Sequence, residues 1–512
     1  MSDPQNSINQ PFPPIAPPSP AEAPPSPPIS PQPPPEPLPV SYPQALPPLA
    51  DEPPTTGLPP DTLAQTDAAA QPPGNPRIQG SVFKFLIPIL IGLMVIGAIV
   101  FAVTRFMSSN GKKTTEPQAI NLTYWGLWEE APIVKSILAQ YQQEHPNVTI
   151  NYQQQSHKDY RERLQSSLAQ GTGPDIFRFH NTWVPMLKNE LAPVPPAVFD
   201  TTSFNSTFYP VMNQDLTVGG NILGVPLMID GLGLYYNKKI FEAGGKTPPT
   251  DWAQLRQTAS DLRVPKEGPI QTAGIALGTT NNVDHWSDIL ALMLLQNSAD
   301  PANPIGSGAE DALKFYTIFS NSDKVWDNTM PQSVYAFATQ KVAMIFAPSW
   351  QAHTIKQINP NIDFGIVPVP QLPNSNVTWA SYWVEGVSKK SAKQAEAFNV
   401  LKFLSEKDKL VKFYTEASKT RLFGELYPRK DLADSLKSDP LAGAYISQAE
   451  NAKSFYMASR TFDNGINDKI IKYYEDAVNA VGEGEDPSEA LQTTAQGVQQ
   501  VLSQYGVSVA SK

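Results

Sequence analysis

The feature that most constrains this chain is an uncharged apolar run from Phe85 to Val103, flanked by Lys84 and Arg105. A helix needs about 20 apolar residues to cross the hydrocarbon core of a bilayer, and this run approaches that length. It begins too far along the chain to be a simple cleaved leader. We therefore predict an uncleaved transmembrane helix over 82–106, followed by a polar linker over 107–117.

Proline dominates the sequence before this run. About half of the 53 prolines fall within residues 1–80, and no basic residue precedes Arg77. Such composition cannot bury enough apolar surface to form a packed core and favours extended polyproline segments. Residues 1–80 are therefore predicted to be a disordered spacer, with a docking tail for a proline-recognising partner as the alternative.

Charge and residue usage exclude several classes of function. The formal net charge of −10 argues against a broad nucleic-acid surface, and the absence of cysteine excludes disulfides, thiolate metal sites and a cysteine nucleophile. The five histidines are isolated and lack the spacing of a metal motif, and neither a P-loop nor a GxSxG elbow is present. We predict no enzyme activity, no metal site and no cofactor.

Strand and helix patterns alternate along the region that follows the linker. This alternation predicts an α/β architecture with mainly parallel sheets, and the stretch from Ala392 to about Gln504 reads as largely helical. The alternating elements are the predicted strand Ile120–Tyr124, a helix from Pro132 to His145, the strand Val148–Tyr152, the helix Lys158–Ala169 and the strand Asp175–Phe179.

Several short motifs, weak one by one, become specific through their order and spacing. From about Ala119 to Gln504 the chain resembles the family 1 extracellular solute-binding proteins, the group that includes maltose-binding protein. The motifs are Leu122-Thr123-Tyr124-Trp125-Gly126, His145-Pro146-Asn147-Val148, Gly171-Thr172-Gly173-Pro174-Asp175, Gly224-Val225-Pro226-Leu227, Leu234-Tyr235-Tyr236-Asn237-Lys238, Pro348-Ser349-Trp350 and Gly386-Val387-Ser388-Lys389-Lys390.

The resemblance implies a two-lobed, periplasmic-binding-protein-like α/β fold over 118–505, with ligand held in a cleft between the lobes. Hinge strands are expected near Pro226–Asp230, Phe337–Met344 and Trp379–Gly386. The first lobe would take roughly 118–227 and 340–381, and the second roughly 231–335 and 384–505. Hinge closure around the ligand is the mechanism that this arrangement implies.

The same resemblance implies a function and a location. A mono- or oligosaccharide would be captured outside the cytoplasm and delivered to the permease subunits of an ABC-type importer, while the proline-rich tail remains in the cytoplasm. Because the charges that flank the apolar run are nearly balanced, the topology follows from the resemblance and not from charge. Two alternatives stay open: a membrane-anchored sensor or receptor, and a non-sugar solute such as a polyamine or a peptide.

Candidate ligand-binding residues are aromatic, acidic or amide side chains near predicted strand ends and chain crossings. Aromatic rings suit the C–H faces of a sugar, and carboxylates or amides suit its hydroxyls. Tyr235 and Tyr236 alternate on a strand, so only one of them can face the cleft. The candidates are Trp125, Trp128, Glu129, Asn181, Trp183, Asp230, Tyr235, Trp286, Trp350, Trp379, Tyr382 and Trp383.

Other residues receive a structural interpretation. Trp252 follows a helix N-cap and is expected to pack in the core. Arg421 and Arg429 resemble a loop that sometimes contacts ligand, but a surface salt bridge is the favoured reading for both. Asp463-Asn464-Gly465 lacks the spacing of a calcium loop and is predicted to be a turn.

Overall fold

The computed structural model describes residues 94–105 and 118–508. Residues 94–105 form a helix, α1, whose apolar side chains are exposed; Met94 and Phe101 are examples. Within these two described ranges, no helix is both long and apolar enough to cross a membrane. The predicted tail, the first part of the predicted transmembrane helix and the predicted linker lie outside the described residues.

Residues 118–508 contain short strands and longer helices in alternation. The strands are β1 (Ile120–Gly126), β2 (Val148–Gln154), β3 (Ile176–His180), β4 (Thr217–Val218), β5 (Asn221–Ile222), β6 (Val225–Pro226), β7 (Gly233–Asn237), β8 (Ala273–Ile275), β9 (Val342–Ala347), β10 (Phe364–Val367), β11 (Thr378–Trp379), β12 (Trp383–Val387) and β13 (Ala452–Lys453).

The helices of the same region hold more residues than its strands do. They are α2 (Ala131–Glu144), α3 (Tyr160–Gln170), α4 (Val184–Leu187), α5 (Thr201–Thr207), α6 (Pro210–Leu216), α7 (Lys238–Ala243), α8 (Trp252–Leu262), α9 (Trp286–Gln296), α10 (Ser307–Asn321), α11 (Ser333–Ala338), α12 (Gln351–Ile358), α13 (Gln394–Leu404), α14 (Lys407–Ala417), α15 (Gly443–Gln448), α16 (Ile466–Gly482) and α17 (Pro487–Gln504).

Two principal sheets define two lobes. The sheet of the first lobe has the order β2-β1-β3-β12-β6, with β1 parallel to β2 and β3. The sheet of the second lobe has the order β10-β7-β9-β8, with β8 parallel to β9. Strand β3 is buried along its whole length, as expected for a central strand covered on both faces.

The prediction of mainly parallel sheets is wrong in detail, because both sheets are mixed. Strand β12 runs antiparallel to β3 and β6, and β7 runs antiparallel to β9 and β10. The physical reason lies in the connections: β12 enters the first sheet from the opposite lobe, so it need not follow the direction set by strand–helix–strand units.

The sheet memberships also correct the predicted lobe boundaries. Residues 340–381 were expected in the first lobe, yet β9 and β10 pair with β7 in the second. No crossing occurs near Phe337–Met344, since α11 packs against β9. Residues 384–505 are divided: α13 packs on β12 of the first lobe, whereas α16 and α17 pack on α10 of the second.

Two chain crossings lie side by side between the lobes. The chain passes from β6 to β7 through 227–232 and returns to β12 through 380–382. Gly231 and Ala380 form an antiparallel bridge between these segments. A side chain at Gly231 would collide with the carbonyl oxygen of Trp379, so glycine is required by this close approach.

Local sequence explains how two helices of the second lobe begin. The carboxylate of Asp251 accepts a hydrogen bond of 2.8 Å from the backbone N–H of Gln254 and caps α8. Trp252 is buried and donates its indole N–H to Gln296 at 2.6 Å, which confirms its packing role. Asp463 forms the predicted turn and accepts from the backbone N–H groups of Gly465 and Asn467 at the start of α16.

Candidate functional site

The site is a cavity of about 440 Å³ whose wall contains residues from both lobes. A volume of this size suits a small organic ligand. Five of the twelve candidate residues line it: Trp128, Asp230, Trp350, Trp379 and Trp383.

The first lobe contributes an aromatic wall. Trp128 lies in the loop after β1, and Trp383 is the first residue of β12. Their ring centroids are 5.6 Å apart in an edge-to-face arrangement, and Trp128 also stacks on His157 at 5.7 Å. The Trp128 side chain is 38% exposed, so part of its apolar surface is available to a ligand.

The second lobe contributes a second indole. Trp350 follows β9 at the start of α12 and is 41% exposed. Its ring meets His285 edge-on, with centroids 5.8 Å apart. Exposed indoles on both sides of one cavity offer two apolar surfaces between which a flat solute can lie.

Asp230 places a buried carboxylate at the first chain crossing. It accepts hydrogen bonds from the backbone N–H of Ser349 at 3.0 Å, from the Ser349 hydroxyl at 2.8 Å and from the Gly231 N–H at 2.8 Å. Burial raises the pKa of Asp230 to about 7. The crossing between β6 and β7 brings it to the cavity, because the extended chain there turns from one lobe into the other.

Asp288 is a second buried carboxylate at the cavity, and no pattern in the sequence indicated it. It accepts from the indole N–H of Trp379 at 2.8 Å and from the backbone N–H of Ser459 at 3.0 Å. Burial raises its pKa to about 6. Asp288 lies in the first turn of α9, and its approach to Trp379 depends on tertiary packing across about 90 residues of chain.

Three histidines of the cavity are neutral at physiological pH. Burial lowers the pKa of His180 and of His285 to about 3, and that of His353 to about 4. The His285 ring lies 2.8 Å from the Ser459 hydroxyl and 3.0 Å from the side-chain nitrogen of Gln351. These rings therefore offer hydrogen-bonding groups and not fixed charges.

Two arginines also reach the cavity, and each is held by a carboxylate. Arg421 pairs with Glu425 at 3.1 Å, so the predicted salt bridge is present. Both residues line the cavity, so the predicted surface location of Arg421 is wrong. Arg460 pairs with Asp284. Burial raises the pKa of Glu425 to about 6. Arg429 pairs with Asp431 at 2.9 Å and does not line the cavity.

Glu129 does not line the cavity, because it belongs to a buried ion cluster beneath the first sheet. Arg178 pairs with Glu129 and, at 2.7 Å, with Glu385, which also accepts from the Tyr124 hydroxyl at 3.0 Å. Although burial acts to raise it, the charge of Arg178 holds the pKa of Glu129 below its usual range, whereas burial raises the pKa of Glu385. The cluster fixes the loop that carries Trp128.

Asn181 and Tyr382 are likewise drawn away from the cavity wall. Both bind the buried carboxylate of Asp215, Asn181 through its amide nitrogen at 2.9 Å and Tyr382 through its hydroxyl at 2.8 Å. Trp183 is buried beneath Trp383, with ring centroids 5.3 Å apart. These side chains support the wall from behind.

The remaining three candidates are part of the protein core. Trp125 is half-buried and packs against the core, and Trp286 is buried at the start of α9. Tyr235 is fully buried and donates its hydroxyl to the carbonyl of Pro348 at 2.8 Å. The alternation of Tyr235 and Tyr236 on β7 is confirmed, but neither residue lines this cavity.

Comparison with known proteins agrees with this architecture. The model of the family described as bacterial extracellular solute-binding protein matches residues 126–409, more than half of the 512-residue chain. The maltodextrin-binding protein MdxE of Bacillus subtilis is 25% identical over 372 residues, covering 67% of this chain and 81% of the relative.

Solved structures share the fold. The sugar-binding protein MalE of Xanthomonas citri aligns with a TM-score of 0.62 at 22% identity, over 75% of this chain and 98% of that one. A cyclo/maltodextrin-binding protein complexed with maltotetraose aligns with a TM-score of 0.61 at 18% identity, over 76% and 98%. With a two-lobed α/β fold, an interlobe cavity and a matching family model, this chain belongs to the bacterial extracellular solute-binding proteins.

Proposed function

We propose that the domain over 118–505 captures a mono- or oligosaccharide outside the cytoplasm and delivers it to an ABC-type import permease. The observation that carries the proposal is the cavity between the lobes, with Trp128 and Trp383 on one wall and Trp350 on the other. Indole faces cover the C–H surfaces of a sugar ring, while buried carboxylates and neutral histidines offer partners for its hydroxyls.

Similarity supports the choice of solute. One relative is a maltodextrin-binding protein, and one structural neighbour was solved with maltotetraose. We transfer the solute class, and not the particular sugar, to this chain. Trp128, Asp230, Trp350, Trp379 and Trp383 are the proposed contact residues among the sequence candidates.

Closure of the lobes is the proposed mechanism of capture. The segments 227–232 and 380–382 join the lobes side by side, and Asp230 sits within the first of them. A ligand that contacts both walls binds the closed arrangement more tightly than an open one and shifts the population towards closure. The permease would then recognise the closed form.

The apolar run over 82–106 is the proposed membrane anchor. It would hold the binding domain at the outer face of the cell membrane, with the proline-rich tail on the cytoplasmic side. The support is the length of the uncharged run, which matches the thickness of a bilayer core. Protease treatment of intact cells tests this topology: the binding domain should be digested, and an epitope placed at the start of the tail should survive.

The test of function is thermal unfolding of the full chain in detergent against a panel of monosaccharides, oligosaccharides and amino acids. A ligand that binds only the folded state at a hundredfold excess over its Kd stabilises the protein by about 2.7 kcal/mol. We expect such a shift from one class of sugar. The variant Trp128→Ala should lose it, whereas Tyr335→Ala, an exposed aromatic outside the cavity, should keep it. A shift with amino acids alone would refute the sugar assignment.

A further inference from the structure

The cavity wall holds two buried carboxylates that have no cationic partner among the described residues. Asp230 and Asp288 are each 4% exposed, and both line the cavity. Every hydrogen bond that reaches them from the described residues comes from a neutral group: a backbone N–H, a hydroxyl or an indole. Burying an ionised carboxylate without an opposite charge costs several kcal/mol, so this arrangement calls for an explanation.

The cations near the cavity are already engaged. Arg421 is paired with Glu425, and Arg460 with Asp284, and neither guanidinium forms an ion pair with Asp230 or Asp288. No lysine is found among the residues that line the cavity. Counted within this lining and its ion pairs, carboxylates exceed cations by two, and the excess consists of Asp230 and Asp288.

The two carboxylates belong to the same side of the cavity. Asp230 precedes Gly231, which pairs with Ala380 across the two crossing segments. Trp379, the neighbour of Ala380, donates to Asp288. The exposed indole faces of Trp128 and Trp350 line the same space, and an aromatic face attracts a cation through its quadrupole.

We propose that the captured solute is a carbohydrate bearing a positively charged amino group, which is received by Asp230 and Asp288. This inference rests on the proposed function and narrows its solute class to amino sugars. The ammonium group supplies the missing positive charge, and the indoles cover the remaining sugar surface. A neutral sugar would leave the charge excess of the cavity in place.

Proton release is the signature that separates the two kinds of solute. Burial raises the pKa of Asp230 to about 7 and that of Asp288 to about 6, so without ligand both hold protons at mildly acidic pH. A bound cation favours the ionised carboxylates and expels those protons. The affinity for an amino sugar should therefore rise as pH increases from about 5 to 7, by up to about tenfold per pH unit for each carboxylate.

Other titratable groups face the same carboxylates. Glu425, paired with Arg421, acts on Asp230, and the hydroxyls of Tyr235 and Tyr445 lie near it. Around Asp288, burial keeps His285 neutral, since it lowers the pKa of that ring to about 3. His180 and His353 have similarly lowered pKa values, and Arg460 is paired. His157 also lines the cavity.

The experiment is calorimetric titration of the full chain in detergent with matched sugars. Glucosamine, galactosamine, mannosamine and the deacetylated dimer of glucosamine are each compared with their N-acetylated and hydroxyl counterparts. We expect at least one amino sugar to bind at least tenfold more tightly than both counterparts at pH 7, with proton release that appears as a dependence of the measured heat on the buffer.

Variants connect the result to the carboxylates. Asp230→Asn and Asp288→Asn should each weaken binding of the amino sugar at least tenfold more than they weaken binding of its neutral counterpart, so that the preference for the amine is lost. Asp434→Asn, on the exposed surface, should change neither. Neutral counterparts that bind as tightly as the amines would overturn this inference and leave the proposed function intact. If no sugar of any kind binds, both fail.

Discussion

Two sets of buried carboxylates in this protein differ in the partners that offset the free-energy cost of their burial. Beneath the first sheet, Glu129 and Glu385 flank the guanidinium of Arg178. At the cavity, Asp230 and Asp288 are held only by neutral hydrogen-bond donors among the described residues. Both sets are almost completely removed from water.

The difference separates a structural role from a binding role. An arginine built into the fold supplies an opposite charge next to its partners and supports the loop that carries Trp128. Neutral donors orient a carboxylate but leave its charge uncompensated, so a proton or a ligand can supply the compensation. The pKa directions of Glu129 and Asp230 differ accordingly: Arg178 holds the pKa of Glu129 below its usual range, and burial raises that of Asp230. For Glu385, the second partner of Arg178, burial outweighs the arginine and raises the pKa.

The largest loss of stability is expected when the cation of the Arg178 cluster is removed. Arg178→Met leaves Glu129 and Glu385 buried without a cation and should lower the free energy of unfolding by about 3–5 kcal/mol. Urea unfolding at pH 7 measures it. The triple variant Arg178→Met/Glu129→Gln/Glu385→Gln should recover much of the loss, because no charge then remains. If Arg178→Met alone costs less than about 1 kcal/mol, the cluster is not a structural ion pair.

The effect expected at the cavity depends on pH. Because burial raises the pKa of Asp230 to about 7, the native state binds this proton more tightly than the unfolded state. Its contribution to stability is therefore full below about pH 4 and is lost as pH rises to 7, by up to about 1.4 kcal/mol per pH unit. The variant Asp230→Asn lacks this pH-dependent contribution to stability.

Unfolding of the wild type and of Asp230→Asn, measured without ligand from pH 4 to pH 8, checks this expectation. The stability advantage of the wild type should shrink with rising pH. The paired Glu129 has a lowered pKa and should contribute stability that increases with pH in the acidic range. If the stabilities of the wild type and of Asp230→Asn change in parallel with pH, the expected difference between the two sets of carboxylates is contradicted.

Much of the fold follows from local sequence. The apolar alternation in β1 and β2, the N-cap of α8 and the turn at Asp463 are all readable, because they depend on neighbours within a few residues. The lobe assignment of β9, β10 and β12 is not local. Which sheet a short buried strand joins depends on contacts more than 100 residues away, so the predicted boundaries failed there.

As with the fold, the sequence predicted the local features of the candidate site but not those that depend on distant contacts. Trp128, Asp230 and Trp350 follow strands or occupy the crossing, and their places were expected. Asn181 and Tyr382 were misplaced because a single buried acid, Asp215, attracts both of them, and residue type alone cannot show that. Asp288 was missed because its neighbours along α9 are core residues, and only the fold brings Trp379 and Ser459 to it.

Substitutions of Trp350 test whether the second-lobe wall of the cavity contributes an apolar contact surface to ligand binding in addition to charge. Trp350→Ala should weaken binding of the best sugar of the panel about tenfold, because an exposed indole face is lost, whereas Trp350→Phe should retain affinity within about threefold. Titration calorimetry gives both values. The free energy of unfolding should change little, since the side chain is 41% exposed. Equal losses in both variants would indicate that size, and not an aromatic face, matters.

The smallest effect is expected at the arginine that lies outside the cavity. Arg429 pairs with Asp431, whose side chain is 39% exposed, and a partly solvated pair of this kind contributes about 0–1 kcal/mol. Arg429→Ala should therefore cost less than about 1 kcal/mol in urea unfolding and leave ligand affinity unchanged.

Arg421→Ala should change affinity instead, because it releases Glu425 at the cavity and adds a third uncompensated carboxylate. For an amino sugar that change is a gain in affinity, and for a neutral sugar it is not, so the pair of variants separates a charge that faces the ligand from one that lies away from the cavity.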